Sequence, residues 1–276
     1  MKELLTRTLS GILFIILVIG SVMWNHYSFA GLFLLITAIG LYEFYRLMRH
    51  MTGEQGKAYT GFGIFLGIIC YLIIALVALK LLPLYSVIII FVLLLLPFMA
   101  GIFSGLTSSF NPAVNTMAGI IYVALPFGML VMIGNPLTES GVYMPFVALG
   151  FFLLMWVYDV FAYLSGTLLG KHPLAKKISP KKSWEGFLGG AVFAIIASYI
   201  LSLAFDQLNF VHWAVVALLI IIFGTLGDLA ESMLKRQAVK KDSGGLIPGH
   251  GGVLDRFDGV LFSAPAVLIY LLLIWR

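Results

Sequence analysis

Nine stretches of continuous apolarity, at about residues 9–24, 27–48, 59–79, 82–103, 113–134, 143–170, 186–206, 212–234 and 259–275, leave this chain very few folds to choose from. A helix crosses the hydrocarbon of a bilayer with about 20 mostly apolar residues. Lipid offers no hydrogen bonds, so each crossing segment must satisfy its own backbone, and helices do this. The pattern predicts an all-α polytopic membrane bundle of about nine transmembrane helices, built as one membrane domain over 1–276. Composition excludes the soluble alternative: 61% of the residues are hydrophobic and 11% charged, and the mean hydropathy is +1.06, far from a soluble domain of this size. The opening MKELLTR and the run behind it superficially suit a secretory leader, but Asn25, His26 and Tyr27 follow instead of a small-residue cleavage site, so the run is read as the first span. Cys70, alone and inside an apolar run, is read as packing. Pro97, Pro126 and Pro265 fall within spans and predict kinks. Glu43 and Arg46, three apart near the end of the second span, predict a local ion pair.

The basic residues orient the bundle. Fifteen of the 17 Lys and Arg, from Lys2 and Arg7 through Arg46, Arg49 and Lys57 to the two large loops, fall on one side of a nine-span arrangement; Lys80 and Arg276 fall on the other. The positive-inside rule then places the N-terminus and both basic loops in the cytoplasm and the C-terminus outside.

The densest charge in the chain is SMLKRQAVKKDSGGLIPGHGGVLDRFDG, residues 232–259, wedged between two apolar runs. Just before and within it, Asp228, Glu231, Ser232 and Lys235 recur at helical spacing and share one face. Asp228 lies about two turns, roughly 10 Å, from the basic end of its span. An ionisable side chain at that depth faces a partner or a watery cavity; a structural pair with a lysine and metal ligation are both open readings. Asp255 and Asp258 sit three apart where the next span begins, either as acids favoured by a helix N-terminus or as partners of Asp228 from a facing helix. Hard carboxylates suit Mg²⁺, which takes one or two of them and completes its shell with water and phosphate. Scattered histidines and a lone cysteine speak against zinc. His250, in a Pro-Gly-His-Gly-Gly turn, is equally a metal or phosphate contact or a loop residue.

A second basic stretch, Gly170 to Gly186, carries five lysines and no acid before Glu185. It either orients the protein against anionic lipid or binds an anion. Ser179 and Pro180 predict a helix start, Ser179 as N-cap with Lys181 and Lys182 in the first turn. Lysines there oppose the helix dipole, a cost that becomes a gain if phosphate binds, which favours the anion site. Asp159, with Tyr163 and Gly166 on its face, is either a helix–helix contact or a distal part of the site.

The run Ser232, Leu234, Lys235, Arg236, Lys241, Asp242, Gly244, Ile247, Pro248, His250, Gly251, Gly252, Asp255, Arg256, Phe257, Asp258 closely resembles the signature of phosphatidate cytidylyltransferases, also called CDP-diacylglycerol synthases. Ser179-Pro-Lys-Lys-Ser-Trp-Glu-Gly186 and the Asp159, Ala162, Tyr163, Gly166 run look like the same family. The resemblance covers about 150 to 263; the first four spans are similar only in being apolar. It implies transfer of a cytidylyl group from CTP to phosphatidic acid, giving CDP-diacylglycerol and pyrophosphate for phospholipid biosynthesis. It further implies a divalent metal, read here as Mg²⁺ with or without a second cation, and a homodimer; the short tails suit a bacterial inner membrane, and no nucleic-acid partner is expected. On that reading Asp228, Asp255 and Asp258 hold metal, and Lys235, Arg236, Lys241 and Arg256 meet phosphates. Ser179, Lys181 and Lys182 close over the triphosphate or lipid head, while Asp242, His250, Gly251 and Gly252 complete the substrate site. Residues 143–276 would be catalytic, and 1–134 scaffold or dimer contacts. Two rivals share the composition: a membrane lipid kinase or cytidylyltransferase acting on another lipid, and an anion transporter. The transporter is disfavoured because the polar residues gather at one end of the chain, without paired halves.

Overall fold

The computed structural model describes residues 2–53, 59–103, 110–135, 137, 142–240, 242–244 and 251–275, with backbone alone for 2–9. Among the described residues it is a bundle of nine helical rods. They are α1 (Lys2–Trp24), α2 (His26–Thr52), α3 (Thr60–Ala78), α4 (Ile88–Phe103), α5 (Phe110–Gly119) continued by α6 (Leu125–Gly134), α7 (Pro145–Leu169), α8 (Trp184–Ala204), α9 (Phe210–Leu219) continued by α10 (Thr225–Gln237), and α11 (Leu254–Ile274). Eight rods are long and apolar enough to cross a membrane, and Ser10–Trp24 is a shorter apolar helix. The protein is thus a polytopic all-α membrane protein, and each of the nine apolar runs coincides with one rod.

Why the helices start where they do is local chemistry. Asn25 caps α2, accepting from the Ser28 N–H at 2.8 Å while Ser28 Oγ accepts from the Asn25 N–H at 3.2 Å, a reciprocal capping box. Two rods contain a five-residue π-helical segment, Ile120–Ala124 between α5 and α6 and Ile220–Gly224 between α9 and α10. Such segments change the rotation of the helix that follows and recur at functional sites. The second lies one residue before Thr225, whose Oγ1 donates to the Ile221 carbonyl at 2.6 Å and is 2.5 Å from Tyr158 Oη on α7.

Between β1 (Pro173–Ala175) and β2 (Ser179–Ser183) the loop after α7 forms a two-stranded antiparallel hairpin. This corrects the expected helix start at Ser179. The N-cap is Ser183, whose Oγ accepts from the Gly186 N–H at 3.1 Å, and the helix begins at Trp184. Glu185 then occupies the first turn, where the dipole favours an acid. Lys181 and Lys182 lie on a strand, ahead of the N-cap and outside the first turn of the helix. The hairpin's base is fixed by the Glu185 carboxylate, which accepts from the Lys171 and His172 N–H groups and lies 2.6 Å from His172 Nδ1.

The core runs through the middle of the bundle, centred on aromatic side chains from five helices. Phe257 of α11 is buried with its ring centroid 5.5 Å from Phe33, 5.4 Å from Phe127 and 5.3 Å from Phe14. Locking Phe257 into that cluster fixes the rotation of α11 and turns the flanking Asp255 and Asp258 away from it. Glycine sets the approach of α10 to α11: a Cβ at Gly227 would collide with the Asp258 carbonyl, and one at Gly259 would meet Gly224 at 3.5 Å. Only with no side chain at 227 can these two helices bring Asp228 alongside Asp258.

Candidate active site

The C-terminal half of α7, the first turns of α10 and α11 and the hairpin line a cavity of about 730 Å³. That is within the range of small-molecule and cofactor sites. Asp159, Tyr163 and Gly166 of α7 form one wall, Ser179, Lys181 and Lys182 of β2 another, and Thr225, Asp228, Asp255 and Asp258 the third. Asp159, left open between a helix contact and a part of the site, is solvent-accessible there. It interacts electrostatically with Asp228 and Lys182, and Asp258 with Asp159 and Asp228. Lys182 Nζ forms an ion pair with Asp228 Oδ2. Asp228 Oδ1 is 3.3 Å from the hydroxyl of Ser232, and Asp258 Oδ1 accepts from the Gly259 N–H at 2.7 Å.

Asp255 stands at the rim of the same cavity but spends its oxygens on the protein. Oδ1 accepts from Lys235 Nζ at 2.7 Å. Oδ2 accepts from the Gly252 N–H at 2.7 Å, the Ser243 N–H at 2.9 Å and Ser243 Oγ at 2.9 Å. Lys235 is held equally firmly, with Glu231 Oε2 at 2.6 Å on its other side. The stripe of Asp228, Glu231, Ser232 and Lys235 therefore divides: Asp228 faces the cavity, while the fully buried Glu231 and the partly buried Lys235 join Asp255 between the helices.

The other expected residues spread along the rim. Arg236 is exposed, its Nε directed at the Ile178 carbonyl at 3.5 Å, and Arg256 is exposed on the first turn of α11 near Asp159. Asp242 is exposed, and Gly251 adopts φ +82°, a left-handed backbone that places its Cα beside Asp255. Lys241 and His250 lie outside the described residues.

Glu43 does not form the local ion pair with Arg46 that their spacing predicts. Arg46 is exposed, whereas Glu43 is buried, its Oε2 accepting from the Leu254 N–H at 3.0 Å and lying 3.3 Å from Ser243 Oγ. An acid within an apolar run was the available signal, and its partner was more than 200 residues away.

Among the described residues, no group of three or more His, Cys, Asp and Glu side chains is arranged to hold a metal by itself. Asp228 and Asp258 nevertheless present hard oxygens to one cavity beside the lysines of β2. That donor set fits Mg²⁺, which is seldom caged by protein alone and draws on phosphate oxygens. A second cavity, about 430 Å³ between α3, α6 and α11, is lined by Ile74, Met129, Met132, Leu268, Leu272 and their apolar neighbours. It lies toward the opposite end of α11 and offers nothing to a phosphate.

Comparison with known proteins points the same way. The model of the Cytidylyltransferase family matches residues 5–274. A phosphatidate cytidylyltransferase of Staphylococcus saprophyticus is 40% identical over 166 residues, 59% of this chain and 61% of the relative. Those of Staphylococcus haemolyticus and Staphylococcus aureus are each 46% identical over 123 residues, 44% of this chain and 47% of the relative. The matched stretch thus spans about half to three-fifths of each of these curated relatives.

Proposed function

From the premise that this chain belongs to the cytidylyltransferase family, we propose that it transfers the cytidylyl group of CTP to phosphatidic acid, leaving CDP-diacylglycerol in the membrane and releasing pyrophosphate. The observation that carries this reading is the meeting of Asp228 and Asp258 with Ser179, Lys181 and Lys182 across one cavity at an end of the bundle. The relatives named above as phosphatidate cytidylyltransferases supply the substrate pair.

Phosphatidate brings its own nucleophile. An oxygen of its phosphate forms a bond to the α-phosphorus of CTP, and the bond from that phosphorus to the bridging oxygen of the β-phosphate breaks, pyrophosphate departing with the electron pair. No serine or cysteine nucleophile is required. The protein's task is to hold two anions together against their repulsion and to neutralise the charge that grows on the leaving group. Lys181, Lys182 and the Ser179 hydroxyl orient the phosphates from the hairpin side, while Asp228 and Asp258 would hold Mg²⁺ from the helix side. The metal, when bound, supplies positive charge to the phosphate oxygens. Lys182 pairs with Asp228, and a substrate phosphate would compete with that carboxylate for its ammonium. Lys235 and Asp255, already bound to each other, support the site from behind.

CTP labelled at the α-phosphate tests the reading: incubated with purified protein and phosphatidic acid, the label is expected in the lipid fraction. Label that stays in nucleotide while γ-label enters lipid would make the protein a kinase.

The protein is an integral membrane protein; we propose a bacterial inner membrane, a homodimer, and a site opening to the cytoplasm, where CTP is found. The concentration of basic residues in the N-terminal tail, the hairpin loop and the α10–α11 loop supports that orientation. A topology reporter fused after Arg276 is expected to be active only outside the cytoplasm, and cytoplasmic activity would invert the assignment.

A further inference from the structure

We infer that Glu43, on the second helix and outside the C-terminal signature, is a positioning residue that sets where α11 begins and thereby where Asp255 and Asp258 stand. Four observations converge on its carboxylate. It is buried, at 3% exposure, in a chain where an interior acid is expensive. Its Oε2 accepts the N–H of Leu254, the first residue of α11, at 3.0 Å. A helix leaves its first N–H groups without intrahelical partners, and an anion there is favoured by the dipole. Val253 contributes no side-chain cap, so this is a cap supplied from another helix.

The same oxygen lies 3.3 Å from Ser243 Oγ, which also donates to Asp255 Oδ2 at 2.9 Å. Gly244 and Gly252 press their backbone onto the carboxylate so closely that a Cβ at either would strike it. Glu43 therefore joins both described ends of the signature loop, 242–244 and 251–254, and reaches Asp255 through one hydroxyl. Asp258 follows one helical turn later. A change in the first turn of α11 moves both aspartates relative to Asp228.

The inference rests on the proposed transfer only where it concerns catalysis, so the test has two arms on the full chain in detergent or nanodiscs. The first is hydrogen–deuterium exchange of the backbone amides of 251–258. A hydrogen bond to a charged group contributes about 1.5–3 kcal/mol, so Glu43→Ala is expected to speed exchange there about 10- to 100-fold. Glu43→Gln keeps the acceptor and stays within about 5-fold of wild type. The second arm is steady-state transfer. Glu43→Ala is expected to lower kcat about 10- to 100-fold with the KM for phosphatidate within about 3-fold, and Glu43→Gln to restore most of kcat. Wild-type exchange and kcat in Glu43→Ala would overturn the inference. If Glu43→Ala fails to fold, Glu43→Asp replaces it: the charge is kept but drawn back by about one C–C bond, so Asp is expected to perform worse than Gln in both arms. Asp equal to or better than Gln overturns the inference. A wild-type protein without transfer activity would sink the proposed function alone, and the exchange arm would still decide the role of Glu43.

Discussion

Replacing Asp228 or Asp258 by asparagine is expected to remove cytidylyl transfer by at least about 10³-fold, roughly 4 kcal/mol of transition-state stabilisation, while leaving the protein folded. Both carboxylates line the cavity, and neither accepts a hydrogen bond from a loop backbone. Asp228 meets Lys182 and Ser232; Asp258 meets the N–H of its own successor. Asparagine preserves the shape and removes the charge that would hold Mg²⁺. The measurement is transfer of α-labelled CTP, alongside size-exclusion profiles and a titration with Mn²⁺ read by electron paramagnetic resonance. Loss of activity with unchanged Mn²⁺ binding in both variants would take the pair out of the metal site. Survival of transfer would place the chemistry elsewhere in the chain.

The second large effect concerns stability. Lys235 lies between Glu231 and Asp255, at 2.6 Å and 2.7 Å, with the Glu231 side chain fully buried and its Oε1 without a hydrogen-bond partner. Lys235→Met keeps the length and removes the ammonium, leaving two carboxylates facing each other between helices. Breaking a buried pair by removing one partner costs about 3–5 kcal/mol. For a chain of this size that is a fall of roughly 10 °C in the melting temperature. A thermal melt in detergent checks this, and Glu231→Gln combined with Lys235→Met is expected to recover part of the loss, because it removes one of the opposed charges. A melting temperature unmoved by Lys235→Met would return that ammonium to the role its position in the signature suggests, a direct phosphate contact.

Asp255 shows why a motif does not assign roles. Its spacing from Asp258 places both acids at one helix entrance, and both reach the cavity. Yet Asp255 carries Lys235 and three donors from Ser243 and Gly252, whereas Asp258 carries one. That difference arises from the loop folding back over one carboxylate and not the other, which residue spacing does not encode.

Hydropathy along the chain is enough for the nine apolar runs, since a bilayer demands helices of a fixed length and a run of apolar residues states that length directly. It also marks Asp228, Asp258, Lys181 and Lys182 as charges that, kept in so apolar a chain, need a partner or water. Folding in three dimensions set which of them share a cavity, made Ser179–Ser183 a strand with the cap of α8 at Ser183, and brought Glu43 to α11. Helix propensity, capping and hydropathy are properties of neighbours in sequence. The Gly227 contact with Asp258, the π-helical turn before Thr225 and a carboxylate reaching a residue 211 positions away are products of helices crossing at one place, and crossings are settled by packing.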